Sequence, residues 1–177
     1  MIMDLKRSFI CAGAFFFLLF VSAGCGYRLA RSVNPLLDNV TSIAVPYFKN
    51  KTFEPGAETI FTHAFVNEFV ESKKLNVVSA QDADVVLYGT VKILRENSIA
   101  YDVDDKALEY RVTVTLAVSL EDRSSGKVLW RRKKLKHSEE FLVSDDIVFS
   151  ETTKRTALKT LAEDLAEKVH DSIMQGF

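Results

Sequence analysis

Two stretches of alternating apolar and polar residues constrain the fold of this 177-residue chain more than any other feature. Within residues 84–96, alternate positions from 85 to 93 are apolar or glycine, and residues 109–121 repeat the alternation over a longer run. The apolar sets are Val85, Leu87, Gly89, Val91 and Ile93 in the first stretch, and Tyr110, Val112, Val114, Leu116, Val118 and Leu120 in the second. Because neighbouring side chains of a strand point to opposite faces, each stretch predicts a strand with one buried face, as in an antiparallel sheet.

Two segments with helical periodicity flank these strands. Residues 57–74, and a final segment that begins at the capping residues Ser144 to Asp146 and reaches about Gln175, carry apolar residues at three- and four-residue spacing. The stripes are Phe61, Ala64, Phe65, Phe69 and Val70 in the first segment, and Leu158, Leu161, Leu165, Val169 and Ile173 in the second. Such stripes predict amphipathic helices that pack against a sheet.

The remaining elements are shorter. The sequence predicts a first strand at 42–48, a short strand at 75–79, a loop at 100–108, a hairpin turn at 121–127 and a strand from 128 toward 137. Pro46 lacks an amide donor, so the first strand is expected to lie at an edge or to end near this residue. The order predicts an α+β fold, with two helices on one face of a mainly antiparallel four-stranded sheet, a two-layer sandwich.

The N-terminal residues 1–24 are typical of an export signal. Lys6 and Arg7 precede 13 uncharged residues, a run that is too short for a membrane-spanning helix of about 20 residues. The small residues 22–24 then lead to Cys25, a pattern that resembles a bacterial lipobox. The prediction is cleavage before Cys25 and lipidation of its thiol, which would attach the chain to a membrane. An ordinary secretory signal and a retained membrane anchor remain alternatives.

The cysteine content agrees with this interpretation. The chain has two cysteines, and Cys11 lies within the predicted signal, so Cys25 would be the only cysteine of the mature protein. We therefore expect an acylated N-terminus and tether at 25–41 and a single α+β domain at 42–177. In lipoproteins of Gram-negative bacteria, an Asp after the lipidated Cys favours retention in the inner membrane. Gly26 occupies that position and predicts the outer membrane, with the domain facing the periplasm.

No catalytic or metal-binding motif stands out in the sequence. His63, His137 and His170 fall outside recognisable catalytic patterns, and there is neither a phosphate-binding glycine loop nor a histidine pair at metal-binding spacing. The acidic pairs at 104–105, 139–140 and 145–146 lack the alternate spacing of a calcium loop. We expect a protein that is not an enzyme and has no catalytic residues, metal site or cofactor, although a lipoprotein hydrolase with a formed pocket remains an alternative.

One dense cluster of basic residues indicates a binding partner. The five residues Arg131, Arg132, Lys133, Lys134 and Lys136 crowd into a predicted strand, although the whole chain has 23 basic and 24 acidic residues. Strand alternation would place Arg132, Lys134 and Lys136 on one face and the other two on the opposite face. Such density suits a phosphorylated glycolipid or another polyanion, and the exported location argues against nucleic acid. Protection of an exposed strand edge by charge is the alternative explanation.

Several motifs resemble the lipopolysaccharide-assembly lipoprotein E family. They are Gly24-Cys25-Gly26-Tyr27-Arg28-Leu29, the segment 43–50 with Thr52 and Glu54-Pro55-Gly56, and Ala83-Asp84-Val85-Val86-Leu87-Tyr88-Gly89. The resemblance implies two helices on a four-stranded sheet. It also implies a lipoprotein that docks inside an outer-membrane barrel translocon as plug and assembly partner and binds lipopolysaccharide.

The choice of residues that would bind lipopolysaccharide comes from the density of positive charge and not from the family resemblance. Lipopolysaccharide binding by residues 131–136 is a hypothesis, because the family's own contact residues are not aligned with them. A rival interpretation is a periplasm-facing lipoprotein module that activates another envelope enzyme, such as a cell-wall synthase. A lipoprotein that only spaces the membrane is a further alternative, but it would not need a compact mixed domain.

Overall fold

The computed structural model describes residues 37–175. Its strands are β1 (Ser42–Ala44), β2 (Lys49–Asn50), β3 (Asn76–Val77), β4 (Val85–Tyr101), β5 (Ala107–Asp122) and β6 (Val128–Leu142), and its helices are α1 (Ala57–Ser72) and α2 (Ile147–Gln175). The export signal, Cys25 and most of the tether lie outside the described residues, so those predictions stay predictions. No helix within residues 37–175 combines the length and the apolar character that crossing a membrane requires.

The sheet is larger and more mixed than the sequence indicated. Its strand order is β3-β1-β4-β5-β6, and β2 also pairs with β4. β4, β5 and β6 are antiparallel, whereas β1 and β2 pair with β4, and β3 with β1, in parallel. The α+β class is confirmed, but a mainly antiparallel four-stranded sheet is wrong. The sequence did predict strands at 42–48 and 75–79, but strands this short contain no pattern that reveals their parallel pairing with each other and with β4.

Pro46 divides the predicted first strand into two. β1 ends at Ala44, and pairing with β4 resumes only at Lys49. The expectation that the strand ends near Pro46 is therefore confirmed, whereas the edge position is wrong because β1 lies between β3 and β4.

The apolar alternation in β4 and β5 is confirmed over most of its length. The side chains that it placed on one face are buried from Val85 to Val91 in β4 and from Val112 to Leu120 in β5. A register shift between Val91 and Ile93 reverses the pattern, so Ile93 is 42% exposed and Leu94 packs against the core instead. A bulge adds one residue to one strand and therefore exchanges the two faces beyond it.

Both helices pack on the same face of the sheet and share one core with it. The core joins Phe61, Phe65 and Phe69 of α1 to the leucine stripe of α2 and to the buried faces of β4 and β5. Val70, which was placed on the apolar stripe of α1, is 53% exposed and does not belong to the core. The predicted cap of α2 is confirmed, because the Asp146 carboxylate accepts hydrogen bonds from the backbone amides of Val148 and Phe149.

Candidate functional site

The candidate site lies on the face of β4, β5 and β6 that points away from the helices, here called the open face. Because paired residues share a face, the strand register brings together residues that are far apart in sequence. Its rows are Tyr88, Ser119 and Arg131; Ile93, Thr115 and Lys136; Arg95, Thr113 and Ser138; and Asn97, Arg111 and Glu140. The open face therefore carries mainly hydroxyl and cationic side chains, with few apolar groups.

A bulge within the basic cluster decides which cations reach this face. Arg132 pairs with Val118 and Leu135 pairs with Leu116, so β6 has one more residue than β5 between these pairs. The alternation is reversed at Lys133 and Lys134, which places Arg131 and Lys136 together on the open face. The sequence-based placement of Arg132 and Lys136 on a common face is therefore wrong.

Arg132 instead lies on the helix side of β6. Its guanidinium carbon is 5.6 Å from the centre of the Trp130 ring, a cation–π arrangement. The Trp130 indole in turn donates a hydrogen bond of 3.2 Å to the hydroxyl of Ser172 on α2. Arg132 therefore lies over the Trp130 ring on the helix side and does not share the open face with Lys136.

Three cations that sequence reasoning missed extend the basic surface. Lys92 and Arg95 come from β4 and Arg111 from β5, and each reaches the site only through the pairing of strands. The ammonium of Lys92 lies 3.4 Å from the carbonyl oxygen of Lys133 at the bulge. The polar positions of the two alternating stretches could have revealed Lys92 and Arg111, whereas Arg95 follows the apolar positions in sequence and reaches the open face only through the register shift after Val91.

The balance of charge on the open face is positive. Arg111 forms an ion pair of 2.6 Å with Glu140, and Arg131 lies 4.0 Å from Glu121. Within residues 37–175, no carboxylate lies within ion-pair distance of Arg95, Lys133, Lys134 or Lys136. Lysine and arginine side chains that form no ion pair with the described residues, beside a row of serine and threonine hydroxyls, provide donors for a polyanionic ligand.

The histidines lie away from this surface. His63 is exposed on α1, whereas His137 lies on the helix side of β6 with its Nε2 atom 2.8 Å from the Asp164 carboxylate. His170 is buried, and its Nδ1 atom is 3.3 Å from Glu68. Among the described residues no group of three or more His, Cys, Asp or Glu side chains could hold a metal ion. The absence of enzymatic activity remains a prediction.

A second notable surface, here called the tip, lies at the end of the long strands where β4 turns into β5, opposite the end of β4 that pairs with β1. It consists of the turn between β4 and β5, the link from β6 to α2 and the first turn of α2, which are joined by an ion pair of 3.0 Å between Lys106 and Asp145. Its exposed apolar side chains are Tyr101, Val103, Leu108, Leu142, Ile147, Val148 and Phe149. A group of exposed apolar side chains this dense is typical of a surface that another molecule covers.

The tip also has a cleft and an acidic border. The cleft, of about 650 Å³, has Tyr110 and Phe141 among its apolar lining, and the two rings stack with their centres 5.9 Å apart. Asp102, Asp145 and Glu151 are among its lining residues, and Asp104 and Asp105 lie in the adjoining turn between β4 and β5. The tip therefore suits a surface that combines apolar and basic groups, whereas the open face suits an anion.

Comparisons with known proteins give one family match and a set of similar folds. A family model described as "LptE: Lipopolysaccharide-assembly" matches residues 40–173, and a search of curated protein sequences finds no match. The structure of PelC from Paraburkholderia phytofirmans, a dodecamer, is 20% identical over 80% of this chain and 93% of its own, with a TM-score of 0.51. Lipoprotein B from Nitrosomonas europaea is 12% identical over 85% and 90%, with a TM-score of 0.54. At these identities the two structures indicate a shared fold alone.

Proposed function

Since the chain belongs to the LptE lipopolysaccharide-assembly family, we propose that it is an outer-membrane lipoprotein of the lipopolysaccharide transport machinery. In this proposal it binds lipopolysaccharide on the open face and serves as plug and assembly partner of an LptD-like barrel translocon. The observation that carries the proposal is the positive open face, on which cations from β4, β5 and β6 lie side by side.

The geometry of the sheet favours a phosphorylated ligand over a single small anion. Adjacent strands are about 4.8 Å apart, and side chains on one face repeat about every 6.6 Å along a strand. Cations at Lys92, Arg95 and Lys136 can therefore contact separate phosphate or carboxylate groups of one saccharide head group. The neighbouring Thr113, Thr115 and Ser138 hydroxyls can bond to sugar oxygens, and the surface is wide enough for a ligand larger than phosphate.

This binding requires no covalent chemistry. A fixed row of protein cations would compete for the phosphates through which lipopolysaccharide head groups pack. Lipidation at Cys25, as the sequence predicts, would hold the open face at high local concentration beside its ligand. The protein would then loosen the packing of head groups and pass the lipid to its partner.

The tip supports the second half of the proposal, a protein partner. A plug must contact the wall of its barrel, and the exposed apolar side chains from Tyr101 to Phe149 provide contact area that water would otherwise cover unfavourably. The rival role, activation of another envelope enzyme, would use the same tip but would not need a cationic open face. Binding of lipopolysaccharide therefore separates the two functions.

The proposal is tested by charge reversal on the open face. Lys133→Glu, Lys134→Glu and Lys136→Glu are combined in the full-length lipidated protein, and lipopolysaccharide binding is measured by displacement of a fluorescent analogue in detergent. We expect at least a tenfold loss of affinity. The control combines Lys73→Glu, Lys74→Glu and Lys159→Glu, which change charge equally at exposed positions away from the open face. Unchanged binding by the first variant would refute the ligand assignment.

The partner is tested by purification of the tagged protein from detergent-solubilised outer membranes. Recovery of an LptD-like barrel in about equal amount is the expected result. Val103→Asp combined with Ile147→Asp, at two highly exposed positions of the tip, should reduce that recovery without changing the thermal stability. Recovery of a cell-wall synthase instead of a barrel would favour the rival function.

A further inference from the structure

The outer edge of β4 is paired over only part of its length. β1 covers Val85 and Val86, and β2 covers Thr90 and Val91, whereas β5 pairs with the opposite edge as far as Tyr101. From Ile93 to Tyr101, none of the described residues forms a strand on the outer side. This segment therefore presents a row of backbone amide and carbonyl groups that could accept another strand.

An aromatic residue is held in a fixed position beside this edge. Phe53 is fully exposed, although it belongs to a closely bonded loop between β2 and α1. The Asn50 carboxamide organises the loop: its oxygen accepts from the backbone amide and the hydroxyl of Thr52 at 2.9 and 2.8 Å. Its nitrogen donates to the Glu54 carbonyl and the Glu58 carboxylate, both at 2.8 Å.

The far side of the loop is fixed to the rest of the domain as well. The Glu54 carboxylate pairs with Lys154 of α2 at 2.7 Å. A loop with this many internal bonds loses little conformational entropy on binding, and rigid aromatic side chains are frequent anchors of protein interfaces. The exposure of Phe53 is thus a property of a rigid loop, which distinguishes it from an apolar side chain on a mobile segment.

The aromatic residue and the strand edge line one groove. Its walls are residues 51–54 on one side and residues 92–96 of β4 on the other, and its volume is about 360 Å³. Ile93 is 42% exposed and adds apolar surface to the groove. A strand added to β4 would therefore run beside Phe53 and continue toward the apolar tip.

The charges at the groove indicate what kind of strand would fit. Lys51, Lys92 and Arg95 are exposed there, whereas the carboxylates of Glu54 and Glu96 are both bound to Lys154. Two copies of this chain that paired their β4 edges about a twofold axis would bring these cations together, and like charges across paired strands are destabilising. A heterologous strand with acidic side chains removes this repulsion.

We propose that the free edge of β4 takes up an extended, acidic strand from a partner protein, with Phe53 inserted into an apolar pocket of that partner. The backbone bonds would provide affinity, and the positions of Arg95 and Phe53 would fix the register. The inference rests on the proposed function only for the identity of the partner, an outer-membrane barrel.

The test places a photo-activated benzophenone side chain at Phe53 or Asn97 in the full-length protein in cells. The control position is Glu71, which is exposed on α1. After illumination, cross-linked peptides are identified by mass spectrometry. We expect both positions to cross-link one acidic extended segment of a single envelope protein, with at least tenfold higher yield than the control. Arg95→Glu should lower that yield at least fivefold, and Arg95→Lys should largely restore it.

The outcomes separate the inference from the proposed function. A cross-linked segment in a protein other than a barrel would support strand addition and would contradict the barrel assignment. Yields equal to the control, cross-links to lipid, or cross-links to a helix or to many unrelated proteins would overturn strand addition. The purification of an equimolar barrel complex would still stand in those cases.

Discussion

The most informative perturbation of the fold is at Lys154, which joins three elements with one charge. From α2 its ammonium donates to Glu54 in the loop before α1 at 2.7 Å and to Glu96 in β4 at 2.8 Å. The side chain is only 15% exposed. Burial alone would lower the pKa of Lys154, but the bonds to Glu54 and Glu96 outweigh it, and the pKa is raised above its ordinary value of 10.5.

The substitution Lys154→Met keeps most of the side-chain volume and removes the charge. Each hydrogen bond to a charged group contributes about 1.5–3 kcal/mol, and the partial exposure of the carboxylates reduces this through solvent screening. The variant also leaves Glu54 and Glu96 close together without a cation. We expect a loss of about 2–4 kcal/mol in the free energy of unfolding, or very roughly 5–15 °C in Tm.

The assay is urea unfolding at pH 7, followed by circular dichroism. Lys159→Met, at an exposed position of the same helix, should change stability by less than about 0.5 kcal/mol. The addition of Glu54→Gln and Glu96→Gln to Lys154→Met should recover part of the loss, because the repulsion between carboxylates is removed. Because the pKa of Lys154 is raised, its contribution is complete below 10.5 and declines only as pH rises through the higher folded-state pKa. A Lys154→Met variant within about 0.5 kcal/mol of wild type would refute this reasoning.

Three further substitutions test the core and the turns. Gly89→Ala places a methyl group against the buried Phe48 ring, and we expect a loss of about 1–3 kcal/mol in urea unfolding that Phe48→Leu partly restores. Asp84→Asn should lower Tm at pH 7: hydrogen bonds, chiefly from the Thr41 amide, hold the Asp84 pKa at about 2. The deficit should disappear as pH falls from 3.8 toward 2, and a deficit unchanged across that range would contradict the assignment. His170→Leu should leave the free energy of unfolding unchanged or raise it by up to about 1 kcal/mol, because the buried Nε2 atom of His170 has no hydrogen-bond partner among the described residues. A loss above about 1 kcal/mol in urea unfolding would contradict this prediction.

The elements that the sequence predicted are those in which one physical pattern acts over many residues. Alternation in 84–96 and 109–121 found two long strands, and the leucine stripe of α2 is buried throughout. The cap at Asp146 was predictable because a carboxylate before an apolar-periodic segment meets the unpaired amides of the first helical turn. These patterns depend on local geometry, which one sequence contains.

What escaped prediction depends on pairing across the chain. The bulges after Val91 and at Lys133 add single residues whose effect is to exchange faces, and nothing in the local composition marks them. The parallel strands β1, β2 and β3 have two or three residues each, and their positions depend on contacts with β4 rather than on their own side chains. Arg95 and Arg111 joined the candidate site for the same reason, because the register decides which cations are neighbours.

Neighbouring side chains of β4, β5 and β6 point to opposite faces of the sheet, so the stability of the fold and the binding of a ligand depend on different residues. Substitutions on the helix side, such as Lys154→Met, change the stability of the fold, whereas substitutions on the open face change charge without touching the core. The bulge at Lys133 and Lys134 decides which cations reach the open face, because Arg132 lies over Trp130 on the helix side before it and Lys136 lies among the cations of the open face after it. Lys92 and Arg95 belong both to the open face and to the groove at the edge of β4, so a ligand on the open face and an acidic partner strand would compete for these two cations.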